Sequence, residues 1–154
     1  MISKKDLNNI YNLKRPIVLV PMAADLLHHG HIRILKKAKK LGTVIVGLIT
    51  DKGLETYKGK PLLKYEHRKE IISEIKTVDY VIPLKGLVYP KIAEIIKVNF
   101  FVHGTDWRKG PQSETRKIMI KNIKMWGGRV VEIPYTKNIS SSSIKNSIRN
   151  KTKR

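Results

Sequence analysis

Two histidines three residues apart, His28 and His31, are the pair in this chain best suited to holding an anion. They stand where an apolar run gives way to helical spacing, so both rings can face the positive end of a helix, where free backbone N–H groups already attract phosphate. Two imidazole donors there add directed hydrogen bonds to charge growing on phosphorus-bound oxygens. Gly30 between them leaves room for a ligand to come close, and His29 should turn elsewhere. A zinc pair or a solvated helix start would use the same spacing, but no third His, Cys or carboxylate stands at metal spacing nearby.

A run of hydroxyls, Ile139-Ser140-Ser141-Ser142-Ser143-Ile144, opens what should be the final helix. Serines cap helices and also donate to phosphate, and consecutive hydroxyls on this scale exceed what one helix start needs for capping. Lys58, Lys60 and Arg68 surround the stretch after the second apolar run, where flexible cations can close over bound phosphates or simply meet solvent. Arg116, in Ser113-Glu114-Thr115-Arg116, is a further cation of either kind. Asp106 and Trp107 offer an acceptor and a flat apolar face, the ring being equally suited to ordinary packing.

Five short apolar segments rich in β-branched residues must position these groups: 17–21, 44–49, 79–83, 99–103 and 129–134. Continuous runs of that length read as strands buried on both faces. Between them Ile32, Leu35 and Ala38, then Ile71, Ile72 and Ile75, then Ile92, Ile95 and Ile96 recur with helical spacing, which predicts crossover helices. Gly42 follows the first crossover, and Gly127 and Gly128 follow a helical stretch over 114–126. The alternation predicts a single α/β domain over 1–154, a doubly wound, Rossmann-like, parallel five-stranded sheet with a short basic tail from about 150. Ligands of such sheets bind beyond the carboxyl ends of the strands, and the polar clusters do follow strands: 23–31, 103–107 and 135–143. Residues 145–154 are expected to fray after one short helix.

Lys and Arg number 32 against 12 Asp and Glu, a formal charge of +20. Such a field favours polyanions, whether small phosphorylated substrates or a nucleic acid, and a lysine-rich surface that only meets solvent would look the same. The lysines are scattered rather than massed, and arginine, the better reader of base edges, is the minority cation, so no nucleic-acid partner is expected. The lack of cysteine excludes disulfides, thiolate metal sites and cysteine nucleophiles. Apolar runs end well short of the ~20 residues that cross a bilayer, and the first sixteen residues hold no continuous apolar core of a secretory signal. A cytoplasmic address with no membrane partner is the expectation.

Together Asp25-Leu26-Leu27-His28-His29-Gly30-His31, Tyr65-Glu66-His67-Arg68-Lys69, Val78-Asp79-Tyr80-Val81-Ile82-Pro83, His103-Gly104-Thr105-Asp106-Trp107 and the serine run resemble the HxGH nucleotidyltransferases. The likeness runs from Ile17 to Ile144 and points to the cytidylyltransferase branch that contains glycerol-3-phosphate cytidylyltransferase. Pro21-Met22-Ala23-Ala24-Asp25, Gln112-Ser113-Glu114-Thr115-Arg116, Trp126-Gly127-Gly128 and Pro134-Tyr135-Thr136 look most like the cytidylyltransferase domains found beside phosphoenolpyruvate phosphomutase. Three departures stand out. Ala23 replaces a threonine of the glycerol-3-phosphate enzymes, Tyr135 replaces the arginine of their Arg-Thr-Glu-Gly-Ile-Ser signature, and Thr105 replaces the first acid of their Gly-Asp-Asp-Trp. Arg116 is the expected substitute for the missing arginine.

The resemblance implies transfer of CMP from CTP to a small phosphonate or phosphate acceptor, with release of pyrophosphate. It implies catalytic roles for His28, His31, Lys58 and Arg68, and nucleotide contacts from Met22, Ala23, Gly30, Asp106, Trp107, Arg116, Ile139, Ser140, Ser141 and Ser142. Magnesium would ride on the nucleotide phosphates rather than on protein ligands, and the chain would form a homodimer. Glycerol 3-phosphate, phosphocholine or phosphoethanolamine are alternative acceptors, an ammonium group calling for an aromatic cage drawn from Tyr57, Tyr65, Tyr89, Trp107 and Tyr135. A reading of another class is a basic nucleic-acid-binding module that has lost activity.

Overall fold

Alternate residues of the first strand, Ile17–Met22 (β1), serve two different cores in the computed structural model, which describes residues 2–152. Ile17 and Leu19 face one core, while Val18, Val20 and Met22 face the other. That two-sided burial is why the run is apolar throughout instead of alternating. Thr43–Ile49 (β2), Tyr80–Leu84 (β3), Phe100–Gly104 (β4) and Arg129–Ile133 (β5) complete a parallel five-stranded sheet in the order β3-β2-β1-β4-β5. All five strands fall where the apolar runs predicted them.

Helices cover both faces. Lys4–Tyr11 (α1), Asp51–Glu55 (α3), Tyr89–Ile96 (α5) and Ser113–Ile123 (α6) supply Ile10, Leu54, Ile92, Ala93, Ile96, Met119 and Ile123 to the core beneath Ile17 and Leu19. His29–Lys39 (α2) and Tyr65–Ser73 (α4) close the other face with Leu35, Ala38 and Ile72. Gly127 ends the helical stretch after α6 at φ +77°, a left-handed conformation that a side chain would strain. The last helix, Ser141–Thr152 (α7), differs from expectation: it runs on to Thr152 instead of fraying after a short turn, and its Lys145 is tied to the body of the protein. Residues 153 and 154 of the expected tail lie outside the described residues.

The strand order reverses at the centre, with β1 pairing β2 on one side and β4 on the other. Loops leaving β1 and β4 therefore diverge to opposite faces and open a crevice beyond Met22 and Gly104, the place where doubly wound sheets bind ligands. No described helix is long and apolar enough to cross a membrane.

Candidate active site

A cleft of about 260 Å³ occupies that crevice, walled by the ends of β1, β2 and β4 and by the first turns of α2, α5 and α7. His28 is the N-cap of α2, in extended conformation, and its Nδ1 accepts the Gly30 N–H at 3.1 Å. The His28 N–H in turn donates to His31 Nδ1 at 3.2 Å, and the two ring centres lie 4.1 Å apart. With both Nδ1 atoms accepting, the neutral rings carry their protons on Nε2, which leaves each an N–H donor for a ligand. Burial, then the neighbouring charges of His28 and Lys58, push the pKa of His31 down to about 4, and burial and His29 lower that of His28. At neutral pH the pair donates hydrogen bonds without carrying charge. Gly30 lines the cleft and has a further use: a Cβ there would sit 2.8 Å from the His28 ring, so the glycine also makes room for that ring.

The serine run meets the histidines from the far end of the chain. Ser140 caps α7 by accepting the Ser143 N–H at 3.0 Å, while Ser143 Oγ accepts the Ser140 N–H at 3.0 Å. Ser141 Oγ donates to Leu26 O at 3.0 Å and ties the turn to the loop that precedes His28. Capping and anchoring thus use three of the hydroxyls, and the Ser142 hydroxyl makes no bond among the described residues. Phosphate capacity at this turn rests on that hydroxyl, on the Ser140 O–H, whose oxygen only accepts in the cap, and on the first N–H groups of α7.

Two buried charged residues hold the surrounding loops. Asp25, 4% exposed, accepts the Leu62 and Leu63 N–H groups at 2.8 and 3.0 Å and pairs with Lys145 of α7. Burial works to raise its pKa, but Lys145 and the two amides outweigh it and leave the carboxyl below its ordinary range. Arg68 corrects the sequence expectation. Its side chain is 0% exposed and donates to Leu63 O at 3.0 Å, Ala23 O at 2.5 Å, Ile49 O at 2.9 Å and Asp51 Oδ1 at 2.6 Å. A guanidinium occupied in that way has no freedom to close over phosphates; it fastens the ends of β1 and β2 to the loop between α3 and α4. That loop carries Lys58, which reaches the cleft, and Lys60, which is exposed and does not line it. Burial in the cleft lowers the pKa of Lys58, with Asp106 opposing. Ala24, at φ +50°, is held in left-handed strain between the anchored Ala23 carbonyl and Asp25.

Met22, Ala23, His28, Gly30, His31, Lys58, Asp106, Ser140, Ser141 and Ser142 all line the one cleft. Ile139 does not. Trp107 does not either: it is 0% exposed, stacks on His103 at 4.3 Å and donates through Nε1 to Glu132 at 2.7 Å, so packing claims the ring. Arg116, the expected replacement for a triphosphate arginine, grips the same Glu132 through Nε at 2.8 Å and a second nitrogen at 3.2 Å, and Arg108 joins them. Arg116 first, then Arg108, hold the Glu132 carboxyl far below the usual range. Tyr57, Tyr89, Tyr135, His103, Gln112 and Thr136 line the cleft and were absent from the expected site. Tyr57 and Tyr89 carry no signal in sequence beyond their ring type, whereas His103, Gln112, Tyr135 and Thr136 lie within the motifs that carry the family resemblance.

Acid should loosen this arrangement before it touches the carboxylates. Between the ordinary 6.5 and about 4 the unfolded chain binds a proton that folded His31 refuses, so stability falls as pH falls through that window. His28 and His103 act in the same direction. Glu132 and Asp25, whose folded values lie below the ordinary 4.5 and 3.8, lose their contribution only at lower pH. The unfolding free energy from urea titrations is therefore expected to drop progressively from pH 6.5 to 4, by up to about 3 kcal/mol for His31 alone; a flat profile would contradict the buried neutral pair.

Paired neutral donors, a helix start and a lysine meet in one cleft at a strand-order reversal, a setting suited to phosphate groups. Residues 23–147 match the model of the cytidylyltransferase-like family, and the chain belongs to that family and is a nucleotidyltransferase. It is 38% identical over 127 residues to glycerol-3-phosphate cytidylyltransferase of Bacillus subtilis, covering 80% of this chain and 90% of that one. It is 29% identical over 150 residues to the bifunctional protein HldE of Desulfatibacillum aliphaticivorans, of which it spans 30%. The crystal structure of a lipopolysaccharide core biosynthesis protein from Thermoplasma volcanium superposes with a TM-score of 0.63 at 27% identity, covering 80% of this chain and 98% of that one.

Proposed function

We propose that the protein transfers CMP from CTP to a small acceptor bearing a phosphate monoester or phosphonate. An acceptor oxygen attacks the α-phosphorus in line, the bond from that phosphorus to the β-bridging oxygen breaks, and pyrophosphate leaves with the electron pair. The observation that carries this reading is the convergence of the His28 and His31 Nε2–H donors, Lys58 and the start of α7 on one cleft. Those groups match charge that grows on the bridging and terminal oxygens as the bond breaks. Asp106 is the one carboxylate lining the cleft among the described residues. A magnesium ion belongs to the proposal as one carried in on the phosphates, where it would neutralise their charge. The homodimer expected from the resemblance belongs to the same proposal.

Glycerol 3-phosphate stands first among acceptors, supported by the relative that is 38% identical and of nearly equal length. The phosphonate expectation rests on motif likeness alone. A second reading, an acceptor with an ammonium group, is favoured by Tyr57, Tyr89 and Tyr135 lining the cleft together with Asp106; Tyr65 and Trp107 of the imagined cage lie outside it.

Pyrophosphate release is the test, with CTP, UTP and ATP each offered glycerol 3-phosphate, 2-hydroxyethylphosphonate and phosphocholine. CTP with one of these acceptors is expected to turn over at ordinary salt. Silence across the panel, together with polynucleotide binding that weakens steeply as salt rises, would move the protein to the binding-module reading.

A further inference from the structure

Behind the cleft wall lies a chain of three polar side chains whose hydrogen bonds depend on which way round the Gln112 amide sits. As placed, Gln112 Oε1 is 3.1 Å from His103 Nε2 and 2.9 Å from Tyr89 Oη. His103 Nδ1 lies 2.8 Å from the Gly104 carbonyl oxygen and 3.7 Å from Asp106 Oδ1. Both of those oxygens only accept, so Nδ1 carries a proton and donates. The ring is 9% exposed, and burial disfavours a second proton. Nε2 is then a bare lone pair that needs a donor. An amide oxygen at 3.1 Å cannot supply one.

Half a turn of the Gln112 amide removes the conflict, because its oxygen and nitrogen are nearly isosteric. The two amide N–H groups then donate to His103 Nε2 and Tyr89 Oη, and the Tyr89 hydroxyl hydrogen, which pointed at Gln112, turns away from it toward Thr115. The other tautomer of His103 fails, since it would set an Nδ1 lone pair 2.8 Å from the Gly104 oxygen. Trp107, stacked on the imidazole with 6° between the planes, keeps the ring from tilting away. The Gln112 atom left over has no partner among the described residues, and Gln112 lines the cleft.

We infer that Gln112 presents its carbonyl oxygen to the cleft, where it accepts a hydrogen bond from an N–H or O–H group of a bound substrate and selects for substrates that carry one. The inference rests on the cleft being the substrate site of the proposed transfer. Two sources share that chemistry: the amino edge of a nucleobase, and a hydroxyl or amine of the acceptor. His103 is a positioning residue in this scheme, because it decides which end of the amide faces the substrate.

Two measurements test it. Nitrogen-15 NMR of the unaltered protein at neutral pH is expected to show His103 protonated at Nδ1 and bare at Nε2. An Nε2–H tautomer, or an imidazolium, overturns the orientation whether or not any turnover is ever found. In kinetics Gln112→Leu is expected to raise one KM by about tenfold with kcat nearly kept, the cost of one lost neutral hydrogen bond. If the donor is on the base, the KM for CTP rises and the preference for CTP over UTP narrows; if it is on the acceptor, only the acceptor KM rises. Both KM values unchanged would overturn the inference. Should Gln112→Leu fail to fold, the tautomer alone decides.

Discussion

His31→Ala is expected to lower turnover by about 10²–10³ while the KM for CTP changes little. The ring is neutral and lines the cleft, and with its Nδ1 occupied by the His28 N–H a single Nε2–H is left to donate. A donor of that kind gains most when charge accumulates on the oxygen it faces, which happens at the transition state and not in the bound nucleotide. Truncation also frees the His28 N–H and loosens the first turn of α2, so circular dichroism and a thermal melt should accompany the kinetics. His29→Ala is the control, since that ring is exposed and lines no part of the cleft. Near-normal turnover by the His31 variant would remove the paired donors from the mechanism.

Arg68→Met should act on stability first, by about 3 kcal/mol, which for a chain of this length is about 10 °C in Tm. The substitution strips hydrogen bonds from the carbonyls of Ala23, Ile49 and Leu63 and leaves Asp51 without its cation. Asp51 retains 36% side-chain exposure, which keeps the loss at the lower end for a broken buried pair. Activity should fall as a consequence, since the fastened loop carries Lys58. A cation that merely covered phosphates would behave in the opposite way, with Tm unmoved and the KM for CTP raised. The two outcomes distinguish a structural clamp from a ligand contact.

These expectations mark where the chain could be read and where it could not. The strands were legible because parallel strands buried on both faces need unbroken apolar runs, and Val44 to Ile49 is such a run. That ligands would bind beyond the carboxyl ends of the strands followed from the doubly wound alternation and from polar clusters trailing β1, β4 and β5, while the strand order that sets the crevice came from the structure. Arg68, Trp107 and Arg116 were misread for one shared reason. Each is a residue type that serves ligands and cores equally well, and the choice depends on partners remote in sequence: Ile49 and Asp51 for Arg68, Glu132 for the other two.

By itself the order of residues determined the parallel sheet and the helix that starts at the histidine pair, because apolar period and helix-start chemistry are local properties. Only the tertiary structure decided which cations stay available. Asp25, Asp51 and Glu132 claim Lys145, Arg68 and Arg116 in ion pairs, while Lys58 reaches the cleft outside any of them. The physical reason is that a buried charge must be paired, and its partner is set by which loops the sheet brings within hydrogen-bonding distance.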